Sequence, residues 1–155
     1  MAALRARPLT AADLDSVAAI EREAFTDPWS RRAFGDLLGL DHVRSFVVEQ
    51  GGGAIVGYAV CSQAADEGEI LNFATAPIAR RKGVGRALLA AVLQWLGERG
   101  AAKVFLEVRR SNEAAIAMYA AAGFATLGVR PNYYRRPTED ALTMVLDRAS
   151  DNARK

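Results

Sequence analysis

A run of three cations and two glycines stands directly before the most regular amphipathic segment of the chain. It reads Arg80, Arg81, Lys82, Gly83, Val84 and Gly85. The first turn of a helix exposes backbone N–H groups that lack an intrahelical partner, and oxyanions such as phosphate bind there. Glycines let the backbone approach a ligand closely, and the cations add long-range attraction. The pattern therefore predicts a site for a pyrophosphate or a similarly charged group.

Two familiar phosphate motifs do not fit these residues. A P-loop needs Gly-Lys followed by Ser or Thr, whereas Gly85 is followed by Arg86 and Ala87. A dinucleotide fingerprint needs a third glycine at the position of Leu88. A basic, glycine-started helix without a ligand stays open as the alternative on these six residues alone.

Further along the chain, two side chains are suited to proton transfer. Glu107 is the only charged residue within the apolar stretch 104–108, and it shares a face with Phe105. Such a carboxylate either faces water at a sheet edge or accepts protons in a site. Tyr119 lies three residues after Ile116 on a predicted helix, where it either packs in the core or donates a proton.

Two further polar residues have ordinary structural interpretations. Asn112 stands at the predicted start of the helix that carries Tyr119, where capping is the default role and a ligand role is additional. Cys61 has no histidine beside it in the sequence, and we interpret it as a core residue and not as a nucleophile.

The predicted elements place these residues around one sheet. Hydrophobic spacing over residues 84–96 indicates a helix that ends at Gly100, between strand candidates at 69–75 and 104–108. This strand–helix–strand unit predicts a parallel pair with a right-handed crossover. The other predictions are a strand at 4–8, a helix from a capping box at Thr10 and Asp13 to about 24, a helix from near 30, a hairpin over 45–49 and 54–61, a helix at 112–122, and closing strands at 125–129 and 141–146 around a polar loop.

Length, charge and cysteine content restrict the class of protein. The 155 residues suit one domain, which we place at 1–149, followed by a flexible tail at 150–155. A net charge of +2 is far from the excess expected of a nucleic-acid-binding protein. One cysteine and one histidine favour metal-free chemistry in a reducing cytoplasm. No apolar run approaches membrane-spanning length, so we expect a soluble protein without membrane contact.

Several segments resemble the GNAT superfamily of N-acetyltransferases. Arg80-x-x-Gly83-x-Gly85 is similar to its acetyl-CoA signature. Five further segments resemble the branch that acetylates protein N-termini: Leu106-Glu107-Val108-Arg109, Ser111-Asn112, Ala115-Ile116, Met118-Tyr119 and Gly123-Phe124. Three others resemble the RimI-type members of that branch: Pro28-Trp29-Ser30, Asn132-Tyr133-Tyr134 and Glu139-Asp140-Ala141. The resemblance covers nearly the whole chain. It implies an α/β fold: a single GNAT domain with a mixed, mostly antiparallel sheet of about seven strands, a splayed central parallel pair and about four helices.

The resemblance also implies acetyl-CoA as the co-substrate, with no metal. Glu107 matches the general base and Tyr119 the general acid of the superfamily. Phe73 stands where the superfamily usually has an aliphatic residue. The implied cofactor contacts are the pyrophosphate loop of Arg80, Arg81, Lys82, Gly83, Val84 and Gly85, the backbone of Asn72, Phe73 and Ala74, and Asn112.

For RimI-type enzymes the implied substrate is the N-terminal alanine of small-subunit ribosomal protein number eighteen. The expected reaction is direct acetyl transfer in a ternary complex, by a monomer or weak dimer that does not bind nucleic acid directly. Two alternatives stay open. The chain could acetylate other protein N-termini or a small-molecule amine, or it could be a non-catalytic acyl-CoA sensor.

Overall fold

Seven strands and four helices make up the computed structural model, which describes residues 3–148. The strands are β1 (Leu4–Pro8), β2 (Val43–Gln50), β3 (Ala54–Ala64), β4 (Glu67–Thr75), β5 (Lys103–Arg109), β6 (Ala125–Tyr134) and β7 (Glu139–Asp147). The helices are α1 (Leu14–Ala24), α2 (Arg31–Leu37), α3 (Val84–Glu98) and α4 (Glu113–Ala121), with 3-10 turns at Ala11–Asp13 and Pro77–Ala79.

All seven strands form one sheet in the order β1-β2-β3-β4-β5-β7-β6. Only β4 and β5 are parallel, and α3 connects them; the other neighbours are antiparallel. The predicted strand–helix–strand unit and the mixed, mostly antiparallel sheet are therefore confirmed. The strand alternation buries Val104, Leu106 and Val108 of β5 against α3 and α4, so Phe105 and Glu107 point to the opposite face, where α1 and α2 lie.

The parallel pair separates partway along its length. Strands β4 and β5 are paired from Glu67 with Lys103 only as far as Ile70 with Leu106. Ile70 is paired with Cys61 of β3 and Asn72 with the adjacent Val60, so Leu71 is an extra residue in β4. Such a bulge bends its strand. Since β5 stays paired with β7 to its end, a gap opens between the second half of β4 and the residues from Glu107 onward.

One prediction for the C-terminal segment is wrong. The polar stretch expected to be a loop between the closing strands is a loop only in part, because β6 runs to Tyr134 and β7 begins at Glu139. Arg130 is paired with Ala141 and Tyr134 with Glu139, and an irregularity with Asn132 at φ 54° absorbs the extra residues between them. Tyrosine favours strands, and β6 is an edge strand whose polar side chains reach solvent, so polarity alone was a poor guide here.

The remaining elements agree with the sequence within a few residues. The Thr10 N–H donates to Asp13 Oδ2 at 2.8 Å, which confirms the capping box, although it opens a 3-10 turn before α1. No helix among residues 3–148 is long and apolar enough to cross a bilayer. The predicted tail at 150–155 lies outside the described residues.

Candidate active site

The loop before α3 has the backbone geometry of an anion site. Arg81 and Gly83 adopt left-handed conformations, at φ 65° and 87°, and Gly83 is the N-cap of α3. A glycine cap has no side chain to occupy the first-turn amides, and none from elsewhere in the described chain caps them. The side chains of Arg80, Arg81 and Lys82 are exposed around this 15-residue helix's start. The uncapped amides and cations suit a diphosphate.

The second glycine of the motif has a packing role. A Cβ on Gly85 would lie 2.8 Å from Sδ of Met118, so this glycine lets α4 approach α3. A third glycine, which sequence reasoning missed, seats the helix on the sheet: a Cβ on Gly57 would lie 2.6 Å from Cγ1 of Val84 and 3.1 Å from the Ala74 carbonyl oxygen. Residues on β3 therefore fix where the amides of α3 point.

Strand β4 presents backbone donors to the gap. The Ala76 N–H donates to the Val56 carbonyl of β3 at 2.8 Å, and the two-residue alternation from there directs the N–H groups of Phe73 and Thr75 away from β3, toward the gap. The Phe73 N–H donates to Oδ1 of Asn72 at 2.9 Å. The Phe73 side chain lies on the α3 and α4 face, with its ring 5.8 Å from the ring of Tyr119.

Glu107 lies just past the point where β4 and β5 part, in a cleft on the face opposite α3. The cleft has a volume of about 370 Å³. Oε1 of Glu107 is 3.0 Å from Nε of Arg130, whereas Oε2 is buried and, within the described chain, has no hydrogen-bond partner. Buried carboxylate oxygens nearly always have a donor, so an orphaned one beside a cleft marks where a substrate proton or water belongs. The cleft is lined by Ser62, Ala64, Glu67, Gly68, Glu69, Phe105, Leu106, Glu107, Leu127, Arg130 and Thr143.

Tyr119 approaches the gap from the other face of the sheet. It is 4% exposed and packs between Phe73 and Phe124, whose ring is 5.6 Å away. Burial raises the pKa of Tyr119 well above that of an ordinary phenol, and Tyr134 raises it further. Burial, with Tyr133 and Glu107 as smaller causes, raises the pKa of Tyr134 to about 12. Tyr134 thus interacts electrostatically with both proton-transfer candidates.

Two segments meet over the mouth of the gap. Thr26, between α1 and α2, donates through Oγ1 to the Arg135 carbonyl at 3.2 Å, and Arg136 lies 3.7 Å from Asp27. Arg109 holds the turn from below: it is 3.1 Å from Oε1 of Glu139, and its guanidinium lies 4.4 Å from the centre of the Tyr134 ring. The mouth is therefore bounded by the β6–β7 turn and the α1–α2 loop.

The structure places Asn72, Phe73, Ala74, Glu107 and Tyr119 along this gap, whereas residues 80–85 form the loop and first turn of α3 and Asn112 lies at the start of α4. Asn112 caps α4, with Oδ1 accepting from the Ala115 N–H at 3.2 Å, as its position in the sequence predicts. Sequence reasoning missed Arg130 and the buried Glu21 of α1. Glu21 follows Val17 and Ile20 on the apolar face, and that spacing was the signal. Cys61 is fully buried, in agreement with a core role.

Residues 14–124 match the acetyltransferase (GNAT) family. The chain belongs to this family and is an acetyl-CoA-dependent N-acetyltransferase. It is 39% identical over 142 residues to the [ribosomal protein bS18]-alanine N-acetyltransferase of Escherichia coli K12, covering 89% of this chain and 93% of that one. It is 38% identical over 145 residues to the N-alpha-acetyltransferase RimI of Mycobacterium tuberculosis, covering 90% and 89%. The crystal structure of the ribosomal-protein-S18-alanine N-acetyltransferase from Escherichia coli superposes with a TM-score of 0.85 at 36% identity, covering 94% of each chain.

Proposed function

We propose that this protein acetylates the α-amino group of the N-terminal alanine of ribosomal protein bS18 in the cytoplasm, by direct transfer in a ternary complex. The observation that carries this proposal is the buried Oε2 of Glu107, which has no hydrogen-bond partner within the described residues, on a side chain that lines the cleft and lies just past the last pair of β4 and β5. The relative from Escherichia coli, similar over almost its whole length, supports the choice of substrate.

The residues of this chain suit acetyl-CoA, which supplies an acetyl group activated as a thioester. In the proposed complex the α3 amides from Val84 onward, with Arg80, Arg81 and Lys82, hold the diphosphate. The backbone of Asn72, Phe73 and Ala74 lies along the pantetheine and acetyl group, and Asn112 contacts the cofactor. Gly83 and Gly85 allow the loop and helix to adopt the required shape.

Glu107 is the proposed general base. An α-amino group has a pKa of about 7.7 to 8.0, so making it neutral at pH 7 costs on the order of 1 kcal/mol. A lysine side chain, with a pKa of about 10.4, requires roughly 4 to 5 kcal/mol. A single carboxylate, directly or through one water, meets the smaller demand. This difference favours a protein N-terminus over a lysine side chain as the acceptor.

Tyr119 is the proposed general acid, which protonates the departing thiolate. A phenol of pKa about 10 is a weaker acid than a thiol of pKa about 8.5, a deficit of roughly 2 kcal/mol. Burial raises the pKa of Tyr119 and enlarges that deficit. The phenol therefore keeps its proton until negative charge develops on sulfur, and the hydrogen bond strengthens as that charge appears.

A thiol-release assay tests the proposal. Peptides that begin Ala-Arg are incubated with acetyl-CoA and the protein, beside the same peptides with a blocked N-terminus. Release of the coenzyme A thiol is expected only with the peptides whose N-terminus is free. Mass spectrometry should then locate the acetyl group on the α-nitrogen of the peptide. Binding of coenzyme A without thiol release from any peptide or amine would indicate an acyl-CoA sensor instead.

A second acceptor class is tested by the same experiment. The Mycobacterium tuberculosis relative is named an N-alpha-acetyltransferase, and other protein N-termini are the alternative acceptors. A mixture of peptides with different first residues separates the two proposals. Strong preference for alanine supports the bS18 substrate, and similar rates across first residues support the broader activity.

A further inference from the structure

A buried carboxylate lies behind β4, the strand of the proposed acetyl site, and has no role in the chemistry described so far. Glu21 of α1 is 1% exposed. Its Oε1 accepts hydrogen bonds from the Tyr58 hydroxyl and from Nδ2 of Asn72, the latter at 2.9 Å. Its Oε2 accepts from the Trp29 N–H at 2.8 Å. One side chain thus connects α1, β3, β4 and the α1–α2 loop.

All the donors to this carboxylate are neutral. No cation within the described residues forms an ion pair with Glu21; its partners are a phenol, a carboxamide and a backbone amide. A charge buried without a counter-ion is unfavourable unless its hydrogen bonds are well made. An apolar residue would pack here without that penalty, as Val17 does one turn earlier. Packing alone therefore does not explain a carboxylate at this position.

The hydrogen bonds determine which way Asn72 points. Glu21 offers only acceptors, so Asn72 must turn its NH₂ toward Glu21, and its Oδ1 then faces the Phe73 N–H. That N–H points into the gap. If the carboxamide flipped, its NH₂ would oppose the Phe73 N–H, donor against donor. The hydrogen bond that the Phe73 N–H makes thus depends on Glu21, two hydrogen bonds away.

We propose that Glu21 is a positioning residue for acetyl transfer, which acts through Asn72 to hold the Phe73 N–H toward the gap. In the free protein, Oδ1 of Asn72 occupies the place at this N–H that the thioester carbonyl oxygen takes or shares in the complex. The amide is then already aligned when negative charge develops on that oxygen. The kinetic consequences of this inference rest on the proposed function. Its structural consequences concern the free protein alone.

The test compares Glu21→Leu with Tyr58→Phe. Glu21→Leu removes both acceptor oxygens, so the bond to Asn72 is lost with the other two. Tyr58→Phe removes another donor to the same carboxylate and leaves the bond to Asn72 intact. We expect kcat of Glu21→Leu to fall by roughly ten- to a hundredfold. Its Kd for acetyl-CoA should stay within about twofold, because diphosphate binding at α3 supplies that affinity. Tyr58→Phe should lose stability with kcat almost unchanged.

Asn72→Ala provides a second line of evidence if Glu21→Leu folds poorly. It keeps the Tyr58 and Trp29 donors on Glu21 and removes only the link to Phe73. We expect the same fall in kcat, and no further fall when both substitutions are combined, because they interrupt one chain of hydrogen bonds. A kcat for Asn72→Ala within about twofold of native would overturn the inference, as would additive losses.

A structural measurement separates this inference from the proposed function. NMR of the nitrogen-labelled free protein follows the Phe73 amide in the absence of any substrate. Its resonance should shift, and its hydrogen exchange accelerate, in Glu21→Leu and Asn72→Ala but not in Tyr58→Phe. A Phe73 amide unchanged in both variants overturns the positioning role even if thiol release is normal. Failure of the native protein to release thiol overturns only the proposed function.

Discussion

The Nε atom of Arg130 lies 3.0 Å from Oε1 of Glu107, so a cation of the chain itself pairs with the proposed base. The Arg130 side chain is 62% exposed and that of Glu107 is 20% exposed. An ion pair with one largely solvated partner is weak and readily exchanged. In the proposed reaction, a substrate amine arrives as an ammonium and meets this guanidinium at the cleft, where the two cations compete for one carboxylate.

Arg130→Met is expected to lower the KM for the peptide. The ion pair is worth at most about 1 kcal/mol, so the decrease should be no more than about fivefold, and it should shrink as salt is added. Steady-state kinetics with the peptide as varied substrate measure it. Arg5→Met is the matched control, since it removes the same charge from an exposed site on β1, at the opposite edge of the sheet. A raised KM in Arg130→Met would mean that Arg130 binds the substrate.

Tyr119→Phe is expected to retain acetyl-CoA affinity and lose most turnover, by about a hundredfold or more. The ring still packs against Phe73 and Phe124, so only the proton donor is removed. Calorimetry and thiol release measure the two quantities. Tyr58→Phe makes the same chemical change on a buried ring that contacts Glu21 and lies outside the gap, and it should have a much smaller effect. Undiminished turnover in Tyr119→Phe would eliminate this phenol as the acid.

The strand–helix–strand unit around α3 could be predicted from the sequence because its signals are local. The apolar face of the helix, its glycine start and the flanking strands all lie within residues 69–108. The gap could not be located in this way. It depends on the extra residue Leu71, and a bulge is defined only by how β4 aligns with β3, a register that no residue type within this hairpin marks.

The site follows the same division. Glu107 was conspicuous as a lone charge in an apolar strand, but its pairing with Arg130 depends on β6 lying beside β7 and continuing past residue 129, where a loop was predicted. Glu21 was visible on the apolar face of α1, yet its meaning depends on Asn72, fifty-one positions away along the chain. Residue types suggested the chemistry, and only tertiary pairing showed which partners hold each group.

Gly57→Ala should weaken acetyl-CoA binding although residue 57 lies outside the phosphate loop. The new Cβ would lie 2.6 Å from Val84, the first residue of α3, and 3.1 Å from the Ala74 carbonyl oxygen, which is backbone and cannot rotate away. We expect a loss of about 1 to 3 kcal/mol in the free energy of unfolding, with reduced affinity. Gly52→Ala is the control, because a Cβ there meets nothing within 4 Å. Native affinity in Gly57→Ala would show that α3 is not seated by β3.

Because the Cys61 thiol ionises when the chain unfolds, the free energy of unfolding should decrease as the pH rises into mild alkali. Burial raises the pKa of its thiol to about 12. A thiol in the unfolded chain has a pKa of about 8.5, so above that value the unfolded state loses a proton that the folded state keeps. The stabilisation is therefore complete below about pH 8.5 and declines by about 1.4 kcal/mol per pH unit above it.

Denaturant unfolding at about pH 7, 8, 9 and 10, in native protein and in Cys61→Ala and Cys61→Val, isolates this contribution. Both variants should be less stable at neutral pH, because they alter a fully buried site. Their deficit should then shrink by about 1.4 kcal/mol between pH 9 and 10, since only the native chain has this thiol to ionise on unfolding. Tyrosines ionise in all three chains and cancel. Parallel stability curves would mean that Cys61 gains little protection from water in the fold.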